Sequence, residues 1–141
     1  MELEREALAE YVILDAKMAP ATDLDSDVEW ICKCFGFLES RDKERTPSKI
    51  FKALLETTKE GDGLSSDELS ARIGLTRGTM VHHLNKLARS GLVIRREGLY
   101  ELRGRSLQRT VREIKRDIDR IFENIEQVAG SIDKSLDLTY R

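Results

Sequence analysis

Apolar residues recur along this chain with two different periods, and the changes of period mark out its elements. Val28, Ile31, Phe35 and Leu38 stand 3, 4 and 3 residues apart, the stripe of a helix predicted over Asp27 to Arg41. Pro47 suits the first turn of the next helix, with Thr46 as its cap and Ile50, Phe51 and Leu54 on its inner face. Gly61-Asp62-Gly63 stops that helix. Ser65 and Glu68 have the S-x-x-E spacing of a capping box, so a short helix carries Leu69 and Ile73 inward and ends at Gly74. Thr76 then caps a helix from Arg77 to about Ser90, closed by Gly91. Beyond it the period drops to 2: Leu92 to Arg96 reads as a strand, Glu97-Gly98 as a tight turn, and Leu99 to Arg103 as the return strand. A long helix follows from about Arg105 to beyond Ile132. At the other end, residues 2–18 combine helix formers with the β-leaning run Tyr11-Val12-Ile13-Leu14, so a short helix or a strand fits. Met18 to Thr22, holding Pro20, reads as a linker.

Helix, short helix, tight turn, helix and two-stranded hairpin is the element order of a winged helix-turn-helix. The fold expected is mainly α with a small β-hairpin wing. An N-terminal helical extension (1–45) precedes the winged unit (46–104), and a long coiled-coil-like helix (105–141) follows it. The tight turn lets the second helix of the motif cross the first and project outward, where it fits a DNA major groove.

At 100° per residue, the Arg77–Ser90 helix divides into two faces. Met80, Leu84 and Leu87, with Val81 and Ala88, belong to the core. Thr79, His82, His83 and Lys86 gather opposite, with Arg89 at the edge and Arg77 at the tip. These are donors, acceptors and cations of the kind that read base edges and hold phosphates, although any solvated helix face has a similar composition. Gly78 would let the backbone come close to DNA. Charge sharpens this picture. The 141 residues carry a net charge of −2, yet residues 1–63 hold 9 basic and 15 acidic side chains, residues 64–105 hold 8 and 4, and residues 106–141 hold 7 of each. A basic middle on an otherwise acidic or neutral chain is the footprint of a small nucleic-acid-binding module.

The run from Leu75 to Val93, LTRGTMVHHLNKLARSGLV, resembles the recognition helix of ArsR-type winged-helix repressors. The preceding LSSDELSARIG resembles their supporting helix. The likeness spans about Pro47 to Arg103, and its markers, His-His-Leu and Leu-x-x-x-Gly-Leu-Val, are shared with MarR-like and archaeal regulators. The resemblance implies that Thr76, Arg77, Thr79, His82 and His83 contact DNA and that Arg95 and Arg96 sit on the wing. It also raises metal sensing, which in that family often uses Cys-x-Cys near the helix before the recognition helix. Here Cys32-Lys33-Cys34 lies well before the winged unit, and no third Cys follows. Residues i and i+2 of a helix point about 200° apart, so the pair cannot chelate one ion. His82 and His83 belong to the DNA face. No metal and no cofactor is expected.

In the last helix Leu107, Val111, Ile114, Ile118, Ile121, Ile125, Val128 and Ile132 alternate at spacings of 4 and 3, the 3.5-residue seam of helices packed side by side. It is richer in β-branched residues than parallel dimers prefer, and Phe122 and Ala129 widen it. Two arrangements fit, singly or together: a homodimer through this helix with help from the N-terminal helix, or packing partly on the Val28–Leu38 stripe of its own or the partner's chain. A dimer suits DNA, because two half-sites multiply a modest contact.

The remaining features narrow the function class. No apolar run is long enough to cross a bilayer, the acidic N-terminus is unlike a signal peptide, and a thiol pair at i and i+2 suits a reducing cytoplasm. There is no Gly-rich phosphate loop, no G-x-S-x-G elbow and no Cys/His cluster at ligand spacing, so an enzyme is not expected. Double-stranded DNA is the partner expected for a homodimeric transcription regulator. The alternative is a winged helix used for protein–protein contact in a transcription or replication complex. Trp30, Phe35 and Phe37 could also line a pocket with the terminal helices.

Overall fold

The computed structural model describes residues 10–18, 23–37 and 45–138. Within these residues five helices and one hairpin run in the order α1 (Leu24–Cys34), α2 (Thr46–Thr58), α3 (Ser66–Ile73), α4 (Arg77–Arg89), β1 (Val93–Arg96), β2 (Leu99–Leu102) and α5 (Leu107–Leu136). This is a winged helix-turn-helix with a helix before it and a long helix after it.

α1 starts earlier than the apolar stripe suggests, because Asp23 provides the cap: its carboxylate accepts the Ser26 N–H at 2.7 Å. It also ends earlier, at Cys34 rather than Arg41. Gly36 N–H bonds to Lys33 O and Phe37 N–H to Cys32 O, which closes the last turn; residues 38–41 lie outside the described chain. Val28, Cys32 and Phe35 are buried, and α1 turns this stripe onto α2. The stripe is therefore occupied by α2, not by the last helix. Residues 10–18 form neither a helix nor a strand, and residues 2–9 lie outside the described chain. Leu14 N–H donates to Cys34 O at 2.7 Å, and a bond to a helix end gives this backbone no strand ladder to extend.

α2 is capped by Arg45 in the left-handed region (φ 54°), with no side-chain bond to the helix. Thr46 is thus the first helical residue and not the cap. Its inner face buries Ile50, Phe51 and Leu54 completely, each contributing about 1.5–3 kcal/mol of transfer free energy. α3 carries the expected capping box, with the Ser65 hydroxyl accepting Glu68 N–H at 3.1 Å and Glu68 accepting Ser65 N–H at 3.0 Å. Between α3 and α4, Gly74 takes φ 83°, a conformation that a Cβ disfavours, and its N–H closes on Ser70 O at 2.8 Å. Thr76 follows two residues later as the cap of α4.

The hairpin pairs Val93 with Leu102 and Arg96 with Leu99. Glu97 (φ 53°) and Gly98 (φ 81°) give it the two left-handed turn residues of a type I′ connection, whose twist matches that of the strands. Leu64 and Tyr100 exchange backbone hydrogen bonds of 2.9 and 2.7 Å, which ties the loop before α3 to β2. One core runs from α1 through α2, α3, α4 and the hairpin to Ile114 of α5.

α5 begins at Leu107, two residues later than expected, capped by Ser106. Buried Thr110 fixes its first turn: the hydroxyl accepts Gly104 N–H and donates to Ser106 O, both at 2.8 Å. Arg103 reaches Glu113 at 3.1 Å and Asp117 at 3.0 Å. Tyr11 donates its hydroxyl to Asp117 at 2.6 Å. The Tyr11 bond, together with Arg103 and against the opposing effect of burial, holds the Asp117 carboxyl below the ordinary carboxylate value. Burial first, and then the same bond, raise the Tyr11 phenol. Ile114 is 2% exposed within its own chain, and Leu107, Val111 and Ile118 are half-buried. Every residue from Asp119 to Leu138 is exposed.

Candidate nucleic-acid interface

α4 is held by three side chains, Met80, Leu84 and Leu87, each at most 1% exposed. Their spacing of 4 and 3 gives one buried stripe, and the opposite face is left to solvent. Val81 is half-buried and Ala88, expected inside, is exposed; the core needs only the three large residues to anchor the helix. Thr76, Arg77, Thr79, His82, Lys86 and Arg89 are exposed, and His83 is half-buried, with its ring edge-on to His82 at 5.7 Å.

The N-terminus of α4 is closed by its cap threonine. Thr76 accepts Thr79 N–H at 3.3 Å, and its own hydroxyl donates to Thr79 Oγ1 at 2.9 Å. The amides of Arg77 and Gly78 precede that bond in the first turn, where an α-helix has no internal acceptors for them. The first turn holds no acidic residue, and a Cβ placed on Gly78 would meet nothing within 4 Å. Free amides at the positive end of a helix bind phosphate oxygens, and Arg77 adds a full charge there.

Three further interactions shape this surface. Arg77 Nε lies 3.8 Å from Asp67 on α3, both side chains being about three-quarters exposed. Arg96 lies 3.5 Å from Glu101 across the hairpin. Pairs as open as that of Arg77 are worth at most about 1 kcal/mol and exchange readily for a phosphate. The guanidinium of Arg95 sits 5.7 Å from the centroid of the Tyr100 ring, a cation–π contact that lays this arginine along the wing. Opposite charges two residues apart on facing strands would have suggested the Arg96–Glu101 pair. The same two-residue hairpin sets Arg95 directly opposite Tyr100, and nothing in the sequence signals the Arg77–Asp67 pair.

Lys86 and Arg89 also border a cleft of about 200 Å³ with Glu10, Val12, Phe35 and Phe37. Phe35 and Phe37 stack at 6.5 Å. Trp30, expected beside them, instead donates its indole N–H to Lys17 O at 3.2 Å, and the cleft is lined by the N-terminal segment rather than by α5. Cys32 is fully buried, and burial pushes its thiol up to about 11. It is a core residue, and among the described residues no group of three His, Cys, Asp or Glu side chains is placed to hold a metal ion. Among the same residues, no helix is long and apolar enough to cross a membrane.

A family model described as a helix-turn-helix domain matches residues 44–96, the stretch that runs from the start of α2 to the end of β1. Neither a curated protein nor a solved structure matches the chain. The chain thus carries a helix-turn-helix domain over residues 44–96, with the second wing strand and α5 beyond the matched stretch.

Proposed function

We propose that this protein binds double-stranded DNA through α4 and the wing and regulates transcription as a homodimer. The observation that carries the reading is the exposed face of α4. Six hydrogen-bonding or cationic side chains stand in solvent on the outer helix of a helix-turn-helix domain, over an N-terminus free of acidic residues. In this reading Arg77 and the first amides of α4 grip phosphate, Thr79, His82 and His83 face base edges, and Lys86 and Arg89 extend the phosphate contact. Arg95 and Arg96 touch the flanking backbone. The hairpin turn has two residues, so the wing rests on the DNA backbone and does not enter the minor groove deeply.

The homodimer is read from the distal part of α5. Ile121, Ile125, Val128 and Ile132 continue the seam beyond the body and are 38–60% exposed, an arrangement that a second copy of the same helix would cover. Ile114 belongs to the intramolecular core, and Ile118 stands at the boundary.

The test is a salt titration of binding to random-sequence duplex DNA, followed by fluorescence anisotropy. Binding should fall steeply as salt rises, because phosphate contacts release counterions. Arg77→Ala and Lys86→Ala should each weaken it and reduce the salt slope by about 1, with the fold unchanged. No binding at low salt would turn the reading toward a protein-contact module, the use that Asp67 and Glu101 would favour by neutralising this face.

A further inference from the structure

We propose that the distal half of α5 forms a four-helix bundle from four copies of this chain. Two seam-paired dimers would join through Phe122, Ala129 and Leu136, so that one particle holds two duplexes at once. The proposal rests on the dimeric DNA-binding reading above and adds a second interface to it.

The width of the apolar face carries the argument. With Ile118, Ile125 and Ile132 at the first seam position and Ile121 and Val128 at the second, the residue after each second position is Phe122 or Ala129, and Leu136 keeps the same register. In a two-stranded coil that position lies at the rim, where charged residues normally set the pairing. Here it holds two large apolar side chains, Phe122 at 57% and Leu136 at 65% exposure. On the other flank of the seam stand Asn124 and Ser131, so neither rim of the distal half is charged. The charges have moved to the back of the helix, as at Arg120, Glu123 and Glu126. Three apolar positions per heptad, as over residues 118–131, make the broad stripe of a bundle helix, whereas two make the narrow seam of a pair; beside Leu136 the second seam position is Ser135.

The shape of the seam residues points the same way. β-Branched side chains at both seam positions shift coiled coils from two strands toward three or four. Four strands keep the two-fold pairs that DNA half-sites require, and three do not. Ile121, Phe122, Ile125, Val128, Ile132 and Leu136 are all exposed along one helix face, a contiguous apolar patch of the kind that marks an interaction site. A two-helix pairing would bury the seam and leave the outer row, Phe122 and Leu136, in water.

Sedimentation equilibrium of the full chain over a range of concentrations tests the stoichiometry, and capture of a labelled random-sequence duplex by a bead-bound duplex tests bridging. The wild type should have four times the 16.1 kDa monomer mass and should hold both duplexes. Phe122→Lys with Leu136→Lys should halve the mass, abolish capture and leave anisotropy binding to a single duplex unchanged. Phe122→Gln with Leu136→Gln should do the same, which excludes an effect of the added charge. A wild-type dimer or trimer would overturn the bundle; the dimer would leave the DNA-binding reading standing, while a monomer would remove both. A tetramer that persists in both double variants would overturn the role given to this row.

Discussion

From Leu107 to Ile118 the seam of α5 turns toward its own body, half-buried at Leu107, Val111 and Ile118 and closed at Ile114 (2% exposed), whereas Ile125 in the same repeat is 55% exposed. The two stretches share one pattern of spacing and nearly the same residue types. What differs is their neighbours: Thr110 and Asp117 lock the proximal turns to Gly104, Arg103 and Tyr11, and nothing in the described chain reaches beyond Ile118 to do the same. An apolar repeat states that a face will be covered. It does not say by what.

The largest effect that can break this comparison is expected from paired truncations. Ile114→Ala should cost about 2–4 kcal/mol of unfolding free energy, independent of protein concentration, in urea denaturation. Ile125→Ala should leave the stability of the body within about 0.5 kcal/mol and make the melting temperature more strongly dependent on concentration. Equal, concentration-independent losses at both sites would show that the distal face is already covered within one chain.

Next in size is the carboxylate that ties α5 down. Asp117→Asn should cost about 1–3 kcal/mol, because it removes a charge-assisted contact to Arg103 and weakens the Tyr11 bond. The Asp117 carboxyl titrates below its unfolded value, so its contribution is full above about pH 4 and is lost as pH falls through the lowered folded value. Acid denaturation of the wild type should therefore lose this increment, and Asp117→Asn should show a shallower pH dependence over that range. An unchanged acid profile would disprove the linkage.

Tyr11→Phe is the finest probe, with an expected loss of about 0.5–1.5 kcal/mol. Its phenol titrates above the ordinary value, so the contribution is complete below about pH 10 and disappears as pH rises through the raised folded value. Hydrogen exchange should show faster opening of residues 10–18 and of the first turns of α5, with α3 and α4 unaffected. Protection lost evenly over the whole domain would mean that the segment is part of the global unfolding unit and not a local strap.

Much of the fold was legible because its signals are local. Ser65 with Glu68, Thr76 before Arg77, Gly74 in the turn and Glu97-Gly98 in the hairpin each specify backbone geometry within four residues. The outer face of α4 could be read for the same reason, since a helix has a fixed period and Met80, Leu84 and Leu87 define its inner side. The ends of α1 depart from its apolar stripe because Asp23 caps it one turn before Asp27 and because Gly36 and Phe37 close its last turn, neither of which the hydrophobic period records. Residues 10–18 carry β-leaning side chains, yet they lack a strand to pair with.

By itself, then, the sequence determined the element order, the helix-turn-helix and its outward face, and the existence of a continuous seam on the last helix. Each of these depends on periodicity and on contacts between residues a few positions apart. Only the tertiary structure decided that α1 packs on α2, that Leu64 ties to Tyr100, and that the seam is divided at Ile118 by the Tyr11–Asp117–Arg103 contacts. Those choices join residues up to 106 positions apart. Which of two equally apolar surfaces is covered depends on where the rest of the chain stands, and no local pattern encodes that.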